Sequence, residues 1–331
     1  MKKALFLALS LAFLLTACGE TTLPDTSEPN PVDNTQETSL PESCLLYYDL
    51  GNVSILAEDK SLPLAQNAGD GYQTSYSVWY DGEYQDLALQ DGDSGISVAD
   101  MTGGSAVFDY GAGLVVWNGE RYHCAHLTAQ DSYIPNISPN IPGGILLLEV
   151  SGDCWADGGV SDVACFTGFG TVVICGSGTL RIDGAGIGVG GDNLPYLPGL
   201  ILDDVSFSSG AIFLNERSYS GAPALFVRSG SLETDTLVLS GDLCIAGGSG
   251  TVQYLDGVEN AVFRGGSFEV NQWGDTVIPQ LILSGGDATC TDWLPQGTSI
   301  EVGAGTMTAN GIRYWDTVHV YDGGKIVDLM D

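Results

Sequence analysis

One short phrase recurs through the second half of the chain: an alternating strand, a glycine corner, and a second alternating strand. Residues 172–182 read Val-Val-Ile-Cys-Gly-Ser-Gly-Thr-Leu-Arg-Ile. Residues 225–233 repeat the phrase, and 261–269 repeat it again at an offset of 36. Shorter echoes begin at Leu237 and Leu281, and 200–207 is an echo without the glycine. Alternation marks each arm as a half-buried strand, and glycine admits the positive φ of a sharp corner. Helices fare badly in such a chain, because each of its 46 glycines would cost about 1 kcal/mol relative to alanine in a helix interior.

Strand starts at 172, 200, 225, 237, 261 and 281 lie mostly 20–28 residues apart, with one closer pair. Short strands, glycine corners and a loose period in the twenties predict an all-β chain. Its C-terminal part, 145–331, is expected to be a right-handed parallel β-helix with like residues stacked about 4.8 Å apart. A sandwich of short strands is the alternative. The intervals Cys154–Cys175, Cys175–Cys244 and Cys244–Cys290 are 21, 69 and 46 residues. With a repeat near 23 they are one, three and two turns, which places all four cysteines on one interior column as buried thiols. Disulfides are the competing use, with Cys154 and Cys165 the easiest pair by separation.

Upstream of Pro135, Pro139 and Pro142 the pattern differs, and residues 44–144 read as a β-rich region, either a separate domain or a decorated start to the repeats. Asp81-Gly82 and Asn118-Gly119 each sit between β-formers, the strongest short-range hairpin signal. The two segments look alike, so an internal duplication is open.

The N-terminus supplies the location. Met1-Lys2-Lys3 precedes an apolar stretch from Ala4 to Leu15, about half a membrane span. It ends in Leu15-Thr16-Ala17-Cys18-Gly19, which resembles the bacterial lipobox. The resemblance implies a signal peptide over 1–17, with Cys18 as the lipidated first residue of a protein anchored in the bacterial envelope, its body outside the cytoplasm. Residues 18–43 hold four prolines, six acids and no bases, the composition of a disordered tether. The formal charge of −32 argues against nucleic-acid partners. The expected partners are the membrane, through the lipid, and a glycan or surface protein.

The chemistry is sparse. Asp203-Asp204 looks like the acidic pair of polygalacturonase-type β-helix hydrolases, but neighbours on a strand face opposite ways, and that family's histidine and arginine-lysine segments are absent. A pectate-lyase-like mechanism would use an arginine base beside calcium. Arg228 and Arg264 hold equivalent positions in the two best-matched repeats, with Asp183, Asp203, Asp204 and Asp256 in the same region. The plain alternative pairs those arginines with acids such as Glu233 and Glu269. His123, Cys124 and His126 are donor atoms at short spacing without a fourth ligand, so no metal site is assigned. Trp79, Tyr80, Tyr84, Trp117 and Tyr122 cluster at the hairpins, where flat rings would stack on sugars or simply pack.

Residues 200–209 followed by 222–227 resemble the uncharacterised carbohydrate-binding β-helix domains of bacterial surface lipoproteins with adhesin-like character. The resemblance implies glycan binding, and the lack of a complete catalytic set puts a surface binding or adhesion module ahead of an enzyme. Its binding candidates are Trp79, Tyr80, Trp117, Tyr122, Asp203, Asp204, Arg228 and Arg264. A calcium-dependent polysaccharide lyase or glycoside hydrolase, and a structural envelope protein, are the alternatives. Calcium is the one cofactor any of these readings admits.

Overall fold

The computed structural model describes residues 39–40, 54–57, 75–80, 83–88, 96–99, 105–117, 120–134, 137–139, 144–157, 164–189, 197–214 and 222–330. Cys18, the lipobox and Cys44 lie outside the described residues. The chain is all-β, and most of its strands join one large, mainly parallel sheet of 22.

The first strands are β1 (Ser54–Ala57), β2 (Ser75–Tyr80), β3 (Glu83–Ala88), β4 (Ile96–Ala99), β5 (Ser105–Trp117), β6 (Glu120–Gln130), β7 (Tyr133–Ile134) and β8 (Ile137–Pro139). Both expected hairpins form, each with a two-residue connection. Tyr80 opposes Glu83 between β2 and β3, and Trp117 opposes Glu120 between β5 and β6. They belong to different sheets: β2 and β3 join β8 in a small antiparallel sheet, while β5 and β6 enter the large one.

The large sheet continues through β9 (Ile145–Ser151), β10 (Asp153–Asp157), β11 (Thr171–Cys175), β12 (Thr179–Asp183), β13 (Ile187–Val189), β14 (Leu200–Asp203), β15 (Val205–Leu214) and β16 (Leu225–Val227). Then follow β17 (Gly230–Ile245), β18 (Ser249–Phe263), β19 (Ser267–Trp273), β20 (Ile278–Leu283), β21 (Asp287–Trp293), β22 (Gly297–Val302), β23 (Gly305–Asn310), β24 (Thr317–Val320) and β25 (Gly324–Asp328). β17 and β18 are long because they run round corners. Parallel pairing starts at β6, where Ala125 opposes Leu146.

The pairs fall into three ladders. The first runs β6, β9, β11, β14, β16, the ends of β17 and β18, then β20, β22 and β24. The second runs β7, β10, β12, the starts of β15, β17 and β18, then β19, β21, β23 and β25. The third is shorter and joins β13 to later parts of β15, β17, β18 and β19.

The registers revise the expected repeat. Val172 pairs with Leu200, whereas Ser231 pairs with Ser249 across a much shorter interval. The spacing tightens once the chain passes Leu225. Two of the short steps, Val227 to Ile245 to Phe263, account for the offset of 36. Leu225 and Leu237 are not successive repeats, since Leu225 pairs on the first ladder and Leu237 on the third.

The uneven interval also breaks the cysteine column. Cys154 stacks on Leu180 and faces inward, and Cys290 pairs with Val270, two residues further along on the next inward column. Cys175 and Cys244 sit on two different outward columns of the first ladder. Burial of the thiols does hold, because Cys124, Cys154, Cys165, Cys175, Cys244 and Cys290 are all buried and free.

Inward columns such as Leu146, Val172, Leu200, Leu225, Leu243 and Ala261 form the main core. On the second ladder the inward column narrows at Gly250, where a Cβ would sit 2.3 Å from the Phe268 ring. The missing side chain is the room that Phe268 fills. The first ladder is unusual in being apolar on its outer side as well. Leu147, Val173, Ile201, Phe226, Cys244, Val262 and Ile282 stack between the two inward columns, each at most 3% exposed. With Val115, Trp117, Cys124 and Leu197 they make a second core. Covered on both sides, this ladder reads as unbroken apolar runs, as buried parallel strands do.

Candidate functional site

The outer side of the second ladder is the polar counterpart. Alternation puts every second residue outward, so two columns line this face. One reads Asp153, Thr179, Ser206, Ser231 and Ser249, and the other Trp155, Arg181, Ser208, Glu233 and Thr251. Together they line a shallow groove of about 600 Å³. Hydroxyls dominate it, since six of these ten outward residues are serine or threonine.

At one end Trp155 opposes Tyr133 of β7, ring centroids 6.5 Å apart at 62°. Thr179 Oγ1 donates to Asp153 Oδ1 at 2.6 Å. The Ser206 and Ser231 hydroxyls lie 2.9 Å apart. Arg181 reaches Asp183 at 3.2 Å, with both side chains more than half exposed, so the guanidinium is free to exchange that partner at little cost. Among the described residues Arg181 is the one cation in the lining.

The groove's two carboxylates do not make a hydrolytic pair. Three ladder steps separate the strands of Asp153 and Glu233, or about 14 Å at the spacing of paired strands. Glycosidase carboxyls stand about 5–9.5 Å apart. Among the described residues the lining offers hydroxyls for hydrogen bonding, one outward ring and one cation.

The acids and arginines singled out from the sequence do not converge here. Asp203 is on the first ladder, where Arg228 Nη1 donates to Asp203 Oδ2 at 2.9 Å and Ser229 Oγ to Oδ1 at 2.9 Å. Arg228 thus pairs with Asp203 in place of Glu233. Asp204 sits at the corner between β14 and β15 with φ 57°, its N–H donating to Ser229 Oγ. Arg228 and Arg264 do hold equivalent positions, their N–H groups donating to Leu202 and Ile245, two steps apart on the first ladder. Asp256 belongs to the third-ladder region. Thr276 Oγ1 at 2.6 Å, the Gly257 N–H and the Tyr254 hydroxyl all donate to it and hold its carboxyl below the usual range.

The aromatic candidates divide. Trp117 is 1% exposed and packs on Phe226, which is a core role. Tyr122 is half-buried against the same second core. The side chains of Trp79, Tyr80 and Tyr84 lie outside the described residues. His126 is buried, its Nε2 3.1 Å from Glu149, and Cys124 is sealed in the second core, where burial pushes its thiol well up. Among the described residues no group of three or more His, Cys, Asp or Glu side chains is placed to hold a metal.

Sequence reasoning misses Trp155, Tyr133 and Arg181, which lie on three separate strands and meet only through pairing. It also misses Trp293 and Tyr314, each 47% exposed and stacked at 5.4 Å, with Arg313 over the Tyr314 ring. Exposure at the end of an alternating strand is the available signal for Trp293.

No family model, curated protein or solved structure matches this chain.

Proposed function

We propose that the protein is a bacterial envelope lipoprotein, held by lipid on Cys18 and facing outside the cytoplasm, whose body binds carbohydrate without catalysis. The three ladders are read as the faces of a right-handed parallel β-helix, and the groove on its second face is the binding site. One observation carries this: the Trp155 ring, packed on Tyr133, stands at one end of a groove of stacked hydroxyls with Arg181 in its lining. Aromatic faces stack on the C–H faces of sugars, and regularly spaced hydroxyls with charged neighbours suit the hydroxyl pattern of an extended glycan. The distance between the groove's carboxylates supports binding over hydrolysis.

The test is a glycan array probed with the full chain carrying Cys18→Ser, with and without calcium. Every bound glycan is then assayed for reducing ends and for unsaturated products. Saturable binding without product supports the module. Product released in a calcium-dependent way makes it a lyase or hydrolase, and silence on every glycan moves the assignment to a structural envelope protein. Cell fractionation tests the anchor, since Cys18→Ser should free the protein from membranes.

A further inference from the structure

We propose that the C-terminal end of the ladders is a membrane-contact surface, its partner a zwitterionic bilayer; this rests on Cys18 being the lipid anchor. Among the described residues six large hydrophobic side chains are exposed, and four of them, Trp293, Tyr314, Leu329 and Met330, belong to the last strands and turns. They are neighbours. Trp293 stacks on Tyr314, the Leu329 N–H donates to Ala309, and Arg313 Nη2 donates to the Met330 carbonyl at 3.5 Å. Tryptophan and tyrosine beside aliphatic side chains and an arginine are what the bilayer interface takes up.

A second observation brings the bilayer to this end. Leu40 packs against the second core, and it does so at Gly303, where a Cβ would lie 2.2 Å from Leu40 Cδ1. Gly303 joins β22 to β23, at the height of the last strands. The equivalent positions one to four steps back hold Ser284, Arg264, Ala246 and Arg228, so the side chain is dispensed with where Leu40 seats. The segment 19–40 links Cys18 to that seat, with a contour of at most about 75 Å. A lipid on Cys18 therefore holds the bilayer within reach of the exposed rings. Trp155 is six ladder steps from Thr289 on the strand of Trp293, about 29 Å, so a bilayer seated on the exposed rings lies that far from the Trp155 end of the groove. With a formal charge of −32, the chain is repelled by anionic headgroups, so the partner is zwitterionic.

Two preparations keep the surface and the anchor apart. One is the lipidated full chain in phosphatidylcholine vesicles. The other replaces residues 1–17 with a hexahistidine tag, carries Cys18→Ser, and is held on nickel-chelating phosphatidylcholine vesicles. Brominated acyl chains should quench part of the tryptophan emission in both. Trp293→Phe should abolish that quenching, Trp155→Phe should leave it, and one-quarter phosphatidylglycerol should weaken it. Failure of the native chain to float with vesicles, with quenching kept on the chelating vesicles, removes the anchor and leaves the surface. Quenching that is absent on the chelating vesicles, or unchanged by Trp293→Phe, overturns the surface. A dimer in sedimentation that Trp293→Ala dissolves also overturns it, because the patch then belongs to a second copy of this chain.

Discussion

Trp117 meets Phe226 edge to face, ring centroids 5.2 Å apart and planes at 84°. The contact joins the second hairpin to the outer side of the first ladder, far downstream in the chain. It turns what would be the solvent side of a parallel sheet into a second core, and it removes Trp117 from any ligand.

Phe226→Ala should therefore cost about 3–5 kcal/mol, the range for truncating a fully buried aromatic ring. Phe213→Ala, at a residue 37% exposed, should cost less than about 1 kcal/mol. In urea titrations, a double-mutant cycle with Trp117→Ala should give a coupling of about 0.5–1.5 kcal/mol. Strict additivity would show that the hairpin does not pack there.

Corners constrain the sequence more tightly than strands do. At Gly266, φ is 74° and a Cβ would sit 2.0 Å from the Gly248 carbonyl oxygen. Gly266→Ala should destabilise by more than about 1 kcal/mol. Gly210 has ordinary φ and its nearest contact is 3.6 Å away, so Gly210→Ala should be neutral or stabilise by about 0.4–1 kcal/mol. Thermal melts of the two variants separate these outcomes.

Burial pushes the thiols of Cys175, Cys244 and Cys290 up to about 12. Unfolded, they ionise near 8.5, so above that pH the unfolded chain binds fewer protons than the folded one. Their contribution to stability is complete below pH 8.5 and is lost as pH rises toward 12, at about 1.4 kcal/mol per pH unit for each thiol. Replacing all three with alanine should flatten the decline in stability measured between pH 9 and 11. At pH 8 the native wild-type thiols should resist a disulfide exchange reagent that labels them in denaturant.

Asp256 titrates the other way. Its carboxylate accepts from Thr276 first, then from Gly257 and Tyr254, and its folded pKa is lowered. That stabilisation is present above the unfolded value, about 3.9, and is lost as pH falls through the folded one. Thr276→Val should raise the carboxyl's midpoint in a carbon-detected NMR titration; an unmoved midpoint would remove the hydroxyl as the cause.

For the groove, Trp155→Ala should weaken binding of any glycan found on the array by about tenfold, the effect of about 1.4 kcal/mol. Arg181→Ala should weaken only acidic glycans, and less so in high salt. Titration calorimetry reads both. Equal losses on neutral and acidic glycans would take the ionic contact out of recognition.

Much of this is legible from local patterns. Glycine corners at 230, 266 and 286, all with positive φ, are visible as the repeated phrase, because only residues without a side chain make that turn cheaply. The hairpins are visible in Asp81-Gly82 and Asn118-Gly119 for the same reason. The cysteine column is not, because assigning columns needs an exact repeat. Thr179 bonds to Asp153 and Ser231 to Ser206 across long steps, whereas Asn260 reaches Asp242 and Thr291 reaches Asn271 across shorter ones. A slip of one residue turns a side chain to the opposite face.

What the sequence determined by itself is the all-β character, the corners and the burial of the described thiols, since each follows from local conformational cost or hydrophobicity. Only the tertiary structure decided which apolar residues face inward. In Leu200-Ile201-Leu202 the middle residue belongs to a different core from its neighbours, and three consecutive apolar residues carry no local mark of that division. It likewise decided the groove, because Tyr133, Trp155 and Arg181 become neighbours only when three strands distant in the chain pair in register.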